Sequence, residues 1–166
     1  MFSSLRVGHS LNGANIFSMP DTHKIANSET PTEQQFICIA LDYATAMNAI
    51  ERDIKEQSDA APGVNFFSQF EVRYRPVFEA YTTSKRRVYG GRSLSYGVPT
   101  KFDGIENAVE STAILKNRNR VEVYFKTENT FKAEYLFVLL REAGEWKIDN
   151  AKYRWYEQVK WIPLIL

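Results

Sequence analysis

The chain has 166 residues, with 21 Lys and Arg against 20 Asp and Glu and 14% aromatic residues. That is the length of one domain, enough to bury roughly 70% of its unfolded surface without a disulfide or metal staple. The formal charge of +1 argues against nucleic-acid binding driven by bulk charge, and the aromatic content argues against wholesale disorder.

Residues 1–30 are dominated by Ser, Asn, Gly, Pro and Thr, and read as a weakly structured arm. His9 and His23 both fall in it, with no Cys/His cluster beside them, so no zinc site is expected. The start of the chain lacks the continuous apolar run of a secretory signal. No run of about 18 apolar residues occurs anywhere, which excludes a membrane-spanning helix. The expected compartment is the cytosol. The single cysteine, Cys38, allows no disulfide within the chain and is expected to pack as a small hydrophobe.

Residues 31–166 read as one domain. Thr30-Pro31-Thr32-Glu33 predicts a helix start, with a Thr cap and Pro31 at the first helical position. Phe36, Ala40, Tyr43, Met47, Ile50 and Ile54 then recur in alternating steps of four and three, one stripe of an amphipathic helix. Asp42, Glu51, Asp53, Lys55 and Glu56 mostly fall outside that stripe, and the helix is expected to end near Ser58. A second helix is predicted from Phe67 to Tyr81, kinked or split at Pro76 and closing on the cations Lys85-Arg86-Arg87. Ser93–Val98 is a short edge-strand candidate.

Beyond it, the texture is that of strands. Glu110–Lys116, Val121–Phe125, Ala133–Leu140 and Trp146–Trp155 are separated by turns at Asn117-Arg118-Asn119 and Glu142-Ala143-Gly144-Glu145. Ala133–Leu140 is apolar on both faces and belongs in the middle of the sheet. Short turns between successive strands predict an antiparallel meander, and two helices before it give an α+β domain. The tail Trp161-Ile162-Pro163-Leu164-Ile165-Leu166 is too apolar to stay in water and is expected to pack on the body or on a partner.

The motifs of nucleophilic elbows and phosphate loops are absent, and no cofactor is implied. Lys85-Arg86-Arg87 with Tyr89 and Arg92 could grip phosphates, but a run of cations is more often a solvated helix end. Asp103, Glu106, Glu110 and Asp149, with Tyr124, Tyr135 and Tyr153, are the groups from which an isomerase-like acid/base site could be built, although no spacing demands that pairing. Tyr153 to Trp161 combines aromatics and arginine as interface hot spots do.

Phe78-Glu79-Ala80-Tyr81-Thr82-Thr83-Ser84-Lys85-Arg86-Arg87-Val88-Tyr89-Gly90-Gly91, Pro99-Thr100-Lys101-Phe102-Asp103-Gly104 and Lys116-Asn117-Arg118-Asn119-Arg120-Val121-Glu122-Val123-Tyr124-Phe125 follow in order, with Glu134-Tyr135-Leu136-Phe137 and Gly144-Glu145-Trp146-Lys147-Ile148-Asp149 after them. Over roughly residues 32 to 161 this succession resembles nuclear-transport-factor-2-like immunity proteins of bacterial polymorphic-toxin systems. The resemblance implies a cone, with N-terminal helices packed on a curved antiparallel sheet. It also implies a non-enzymatic protein that binds and neutralises a cognate toxin domain, and a homodimer through the open sheet face. The alternative is a small-molecule-binding or isomerase/dehydratase-like cone enzyme. The partner-binding candidates are Asp103, Glu106, Trp155, Tyr156 and Glu157; for a nuclease toxin the acidic residues would mimic phosphate, and charge reversal at the first two is then expected to slow association.

Overall fold

The computed structural model describes residues 31–87 and 96–166; the arm 1–30 and the first half of the Ser93–Val98 candidate lie outside them, and Tyr96–Val98 is not a strand. Helix α1 spans Glu33–Ala60 and is capped by Thr32, not Thr30. The Thr32 side chain accepts from the Gln35 N–H while the Gln35 side chain accepts from the Thr32 N–H, a capping box that satisfies two free donors at once. Pro31 therefore precedes the cap rather than opening the helix. The predicted stripe is buried along its whole length. Glu51 is buried with it, contrary to expectation. It lies one turn after Met47, and its neighbours on that face turn inward. Cys38 is only partly buried.

Helix α2 spans Phe67–Tyr81 without a break at Pro76. Val72 and Pro76 are both exposed, so the Val72 carbonyl that loses its bond to the missing proline N–H faces water. An ion pair between Arg73 and Asp53 joins α2 to α1, and the guanidinium's hydrogen bond holds the Asp53 carboxyl below its ordinary range.

The helix does not continue into the basic run. From Thr82 the chain is extended and lies against the sheet, where the Thr83 N–H donates to the Ile148 carbonyl at 3.0 Å. Lys85-Arg86-Arg87 is thus an extended strap and not a helix end. Arg87 fastens it, donating to the Thr83 carbonyl at 2.6 Å and to the Ile148 and Asp149 carbonyls at 3.1 Å each. Burial lowers the pKa of its guanidinium.

Five antiparallel strands form one sheet in chain order: β1 Glu110–Asn117, β2 Arg120–Lys126, β3 Glu134–Glu142, β4 Glu145–Arg154 and β5 Ile162–Leu164. The meander and the central place of β3 match expectation. The tail supplies β5 on β4 and buries Leu166. Val121, Val123, Phe125, Tyr135, Phe137, Leu139, Trp146 and Ile148 join the α1 stripe in one core. A bulge between Val138 and Leu139 pairs them with Asn150 and Ile148, leaving Asp149 as the extra residue. It resets the alternation, so that Ala151 is buried as well as Ile148.

Candidate partner-binding site

At one end of the sheet β2 stops, β3 begins and β4 runs out. The loop 127–133 between β2 and β3 is closed by its own bonds. The Thr127 N–H and hydroxyl both donate to the Ala133 carbonyl, at 3.0 and 2.8 Å. The Ala133 N–H donates to Asn129 Oδ1 at 3.0 Å, and the Lys132 N–H to the Asn129 carbonyl at 2.9 Å.

This loop brings Asp103 together with Trp155 and Tyr156 at one rim, while Glu106 is held against α1. On one side Asn129 Nδ2 donates to the Asp103 carbonyl and to Asp103 Oδ2, both at 2.9 Å. On the other side Phe131 stacks on Trp155, with centroids 5.5 Å apart and planes 25° apart. The Phe131 carbonyl accepts the Tyr156 N–H at 3.3 Å. Beyond them the chain reverses in a turn closed by the Gln158 N–H on the Trp155 carbonyl at 3.0 Å, with Glu157 at a left-handed φ of 65°.

The candidates differ in what is left free for a partner. Asp103 is half-buried, and its carbonyl also accepts the Tyr135 hydroxyl at 3.0 Å. Burial raises the pKa of that hydroxyl, with the Asp103 charge adding to it. Glu106 Oε1 accepts from Asn48 Nδ2 and from both terminal nitrogens of Arg52, each at 3.1 Å. Both carboxylates already serve the fold. Trp155, Tyr156 and Glu157 stand in the open, with Trp155 44% and Tyr156 62% exposed, and Val159 beside them 88% exposed. Lys132 Nζ lies 5.1 Å over the Tyr156 ring.

Trp161 is half-buried on the flank of this patch. The Arg154 guanidinium lies 4.6 Å over its ring, and Tyr124 meets it edge-on. Arg154 also pairs with Glu134 at 2.5 Å. The Tyr124 hydroxyl is pushed up to about 12, chiefly by burial, with the Glu134 charge and its hydrogen bond adding.

Phe131 and Lys132 were not singled out in the sequence. The available signal was one aromatic in an otherwise polar inter-strand segment, Thr127-Glu128-Asn129-Thr130-Phe131-Lys132. An exposed aromatic pair on a closed loop loses little freedom on binding and has the composition of an interface anchor.

The other chemical candidates sort differently. The strap borders a groove of about 480 Å³ lined by Phe78, Thr83, Lys85, Arg87, Glu142 and Lys147 among others. Its cations are largely engaged: Lys85 with Asp149 at 2.5 Å, Lys147 with the Ala80 carbonyl, and Arg87 as above. Glu142 accepts the Ser84 N–H and hydroxyl. Asp149 is thereby tied to the strap rather than to Tyr124, Tyr135 or Tyr153.

Among the described residues the buried carboxylate is Glu51, which lies outside the acid/base set. It is 2% exposed. Oε2 accepts the Lys101 N–H at 2.8 Å, while Oε1 has no hydrogen-bond partner among the described residues. Burial raises its pKa against the opposing pull of the Lys101 N–H and charge. Among the described residues no group of three His, Cys, Asp or Glu could hold a metal ion, and no helix is long and apolar enough to cross a membrane.

Comparison with known proteins returned no matching curated protein and no matching solved structure. The family model described as NTF2 fold immunity protein matches residues 32–164, which takes in both helices, all five strands and the rim. Two helices laid on an unclosed, curved antiparallel sheet are the architecture that this description requires, and the chain belongs to the NTF2 fold immunity protein family.

Proposed function

We propose that this chain is a cytosolic, non-enzymatic immunity protein that neutralises a cognate bacterial toxin domain by stoichiometric binding, and that the rim built on Phe131, Trp155 and Tyr156 is its docking surface. Family membership supports the immunity role. The observation that carries the surface is the exposed Trp155–Tyr156 turn held on the closed 127–133 loop. Such a preformed aromatic ridge fits the cleft of a second protein, and covering that cleft blocks its chemistry. Asp103 contributes by holding Asn129 of the rim loop, Glu106 by tying its own segment to α1, and Glu157 is the exposed carboxylate of the turn.

The test is co-expression with the toxin domain encoded next to this chain's reading frame. Wild-type chain is expected to protect the host and co-purify at one to one. A Trp155→Ala/Tyr156→Ala variant is expected to fold but lose both properties. Full protection by that variant would sink the surface assignment, and failure of the wild type to bind the toxin would sink the function.

A second reading, a small-molecule-binding or isomerase-like cone, is favoured by one observation, the buried Glu51 carboxylate whose Oε1 has no hydrogen-bond partner among the described residues. It predicts that a Glu51→Gln variant loses a ligand-dependent thermal shift that the wild type shows in a metabolite screen. An unchanged set of shifts would remove it.

A further inference from the structure

We propose that β1 is a self-association edge, pairing antiparallel with β1 of a second copy of this chain about a two-fold axis at Ala113. β1 is an outermost strand and pairs only with β2 among the described residues. The direction of its free groups is readable. The Ala113 N–H donates to Glu33 Oε1 at 3.0 Å, so it points away from β2. By the alternation of a strand, Ser111, Ala113 and Leu115 present N–H and C=O groups to the outside. Ile114 and Leu115, on opposite faces of this edge, are 57% and 53% exposed. An eight-residue edge whose central N–H is held by an exposed Glu33 side chain, and which bears two exposed apolar side chains, is a template for another strand.

Charge identifies the occupant as the same strand. The charged residues of β1 are Glu110 and Lys116, near its two ends. Antiparallel pairing centred on Ala113 sets Glu110 opposite Lys116 of the second copy, twice by symmetry. It also sets Thr112 opposite Ile114, a β-branched pair, on the same face. Opposed charges and β-branched pairs are the favourable cross-strand combinations. Centring on Ile114 instead sets Lys116 against Thr112 and pushes Glu110 out to the turn.

Pairing exchanges the exposed Glu33–Ala113 bond for two backbone bonds between the Ala113 residues across the axis. Lys116, 3.4 Å from Glu122 in the single chain, reaches Glu110 of the second copy from the same face. The Trp155 turn follows β4, three strand spacings away or roughly 14 Å, so a dimer leaves both rims open. A single strand pair lies at the small end of interface sizes, and micromolar association is expected.

Sedimentation equilibrium on the full chain, from micromolar to near-millimolar concentration, is the test. The wild type is expected to shift from the 19.2 kDa monomer to twice that mass. Glu110→Lys and Lys116→Glu each oppose like charges and are expected to hold the monomer, whereas the Glu110→Lys/Lys116→Glu double variant restores the dimer. Circular dichroism confirms that each variant is folded. A Thr112→Cys/Ile114→Cys pair in a Cys38→Ser background is expected to cross-link two chains on mild oxidation, and reports even if a charge variant fails to fold. A wild type that stays monomeric throughout, a dimer indifferent to both single reversals, a double reversal that does not restore it, or the absence of cross-linking overturns the proposal.

Discussion

The Asn48 side chain and the Phe102 backbone grip each other at both ends. Asn48 Nδ2 donates to the Phe102 carbonyl at 2.9 Å, and the Phe102 N–H donates to Asn48 Oδ1 at 3.1 Å. Both residues are fully buried. The Phe102 ring packs against Tyr43, Tyr135 and Phe137. Through this amide, together with Glu51 on the Lys101 N–H and Arg52 on Glu106, α1 fixes the segment that carries Asp103 and Glu106. Replacing Asn48 by Ala leaves a buried donor and a buried acceptor unpaired. The expected loss is about 2–4 kcal/mol of unfolding free energy, measured by urea titration. Asn48→Asp should be no better, because it loses the donor and turns a carboxylate toward Glu106.

Gly104 sits two residues further on at a φ of +78°, and a Cβ there would stand 2.9 Å from Asn129 Cβ. An alanine meets both a left-handed backbone and a steric clash. Gly104→Ala is expected to cost about 1–3 kcal/mol and to push Asn129 off Asp103. Amide exchange at Thr127 and Ala133 should then quicken, since Asn129 closes the rim loop. Unchanged exchange in that loop would separate Gly104 from the rim.

Burial gives Glu51 a folded-state pKa above its ordinary 4.5. Between the two values the folded chain binds more protons than the unfolded one. Stability contributed by this group therefore falls as pH rises through that interval, by at most about 1.4 kcal/mol per pH unit. Glu51→Gln keeps an acceptor for the Lys101 N–H and should flatten that slope in denaturant titrations from pH 4.5 upward. Asp53 and Glu122 have the opposite sign. Arg73 holds the first down and Arg120 the second, so their stabilisation is present above their ordinary pKa values and is lost as pH falls below them. A slope above pH 4.5 that Glu51→Gln leaves untouched would assign it elsewhere.

On the rim, Trp155→Ala and Tyr156→Ala are each expected to weaken toxin binding by 2 kcal/mol or more, about 30-fold, as truncated aromatic anchors do. Melting should change little for Tyr156. Trp155→Ala should cost about 1 kcal/mol of stability with the loss of the Phe131 stack. Asp103→Asn and Glu106→Gln should instead act mainly on stability, because Asn129, Asn48 and Arg52 already hold these carboxylates. Calorimetric affinity read beside the thermal midpoint separates the two behaviours.

Much of this was legible in the chain. The α1 stripe from Phe36 to Ile54, the turns at Asn117–Asn119 and Glu142–Glu145, and the strands between them follow from periodicity and turn chemistry, which act over a few residues. Pro76 was not decisive, because it sits on the solvent face where its lost bond costs little. The basic run reads locally as a helix end and is instead an extended strap, since the Ile148 and Asp149 carbonyls that hold Arg87 lie about sixty residues away in the chain. The candidate rim was half legible. The aromatics after β4 stand out by composition, while Phe131 gains meaning only from its stack on Trp155.

By itself, the sequence determined the α+β class, the helix and strand order, and the resemblance over residues 32 to 161, because local propensity and pattern suffice for these. Only the tertiary structure decided which carboxylates are spent inside the molecule, that Glu51 is buried, and that loop 127–133 carries Asp103 and Trp155 on one rim. Those facts depend on contacts between residues distant in the chain, and no local pattern encodes the partner that a side chain meets.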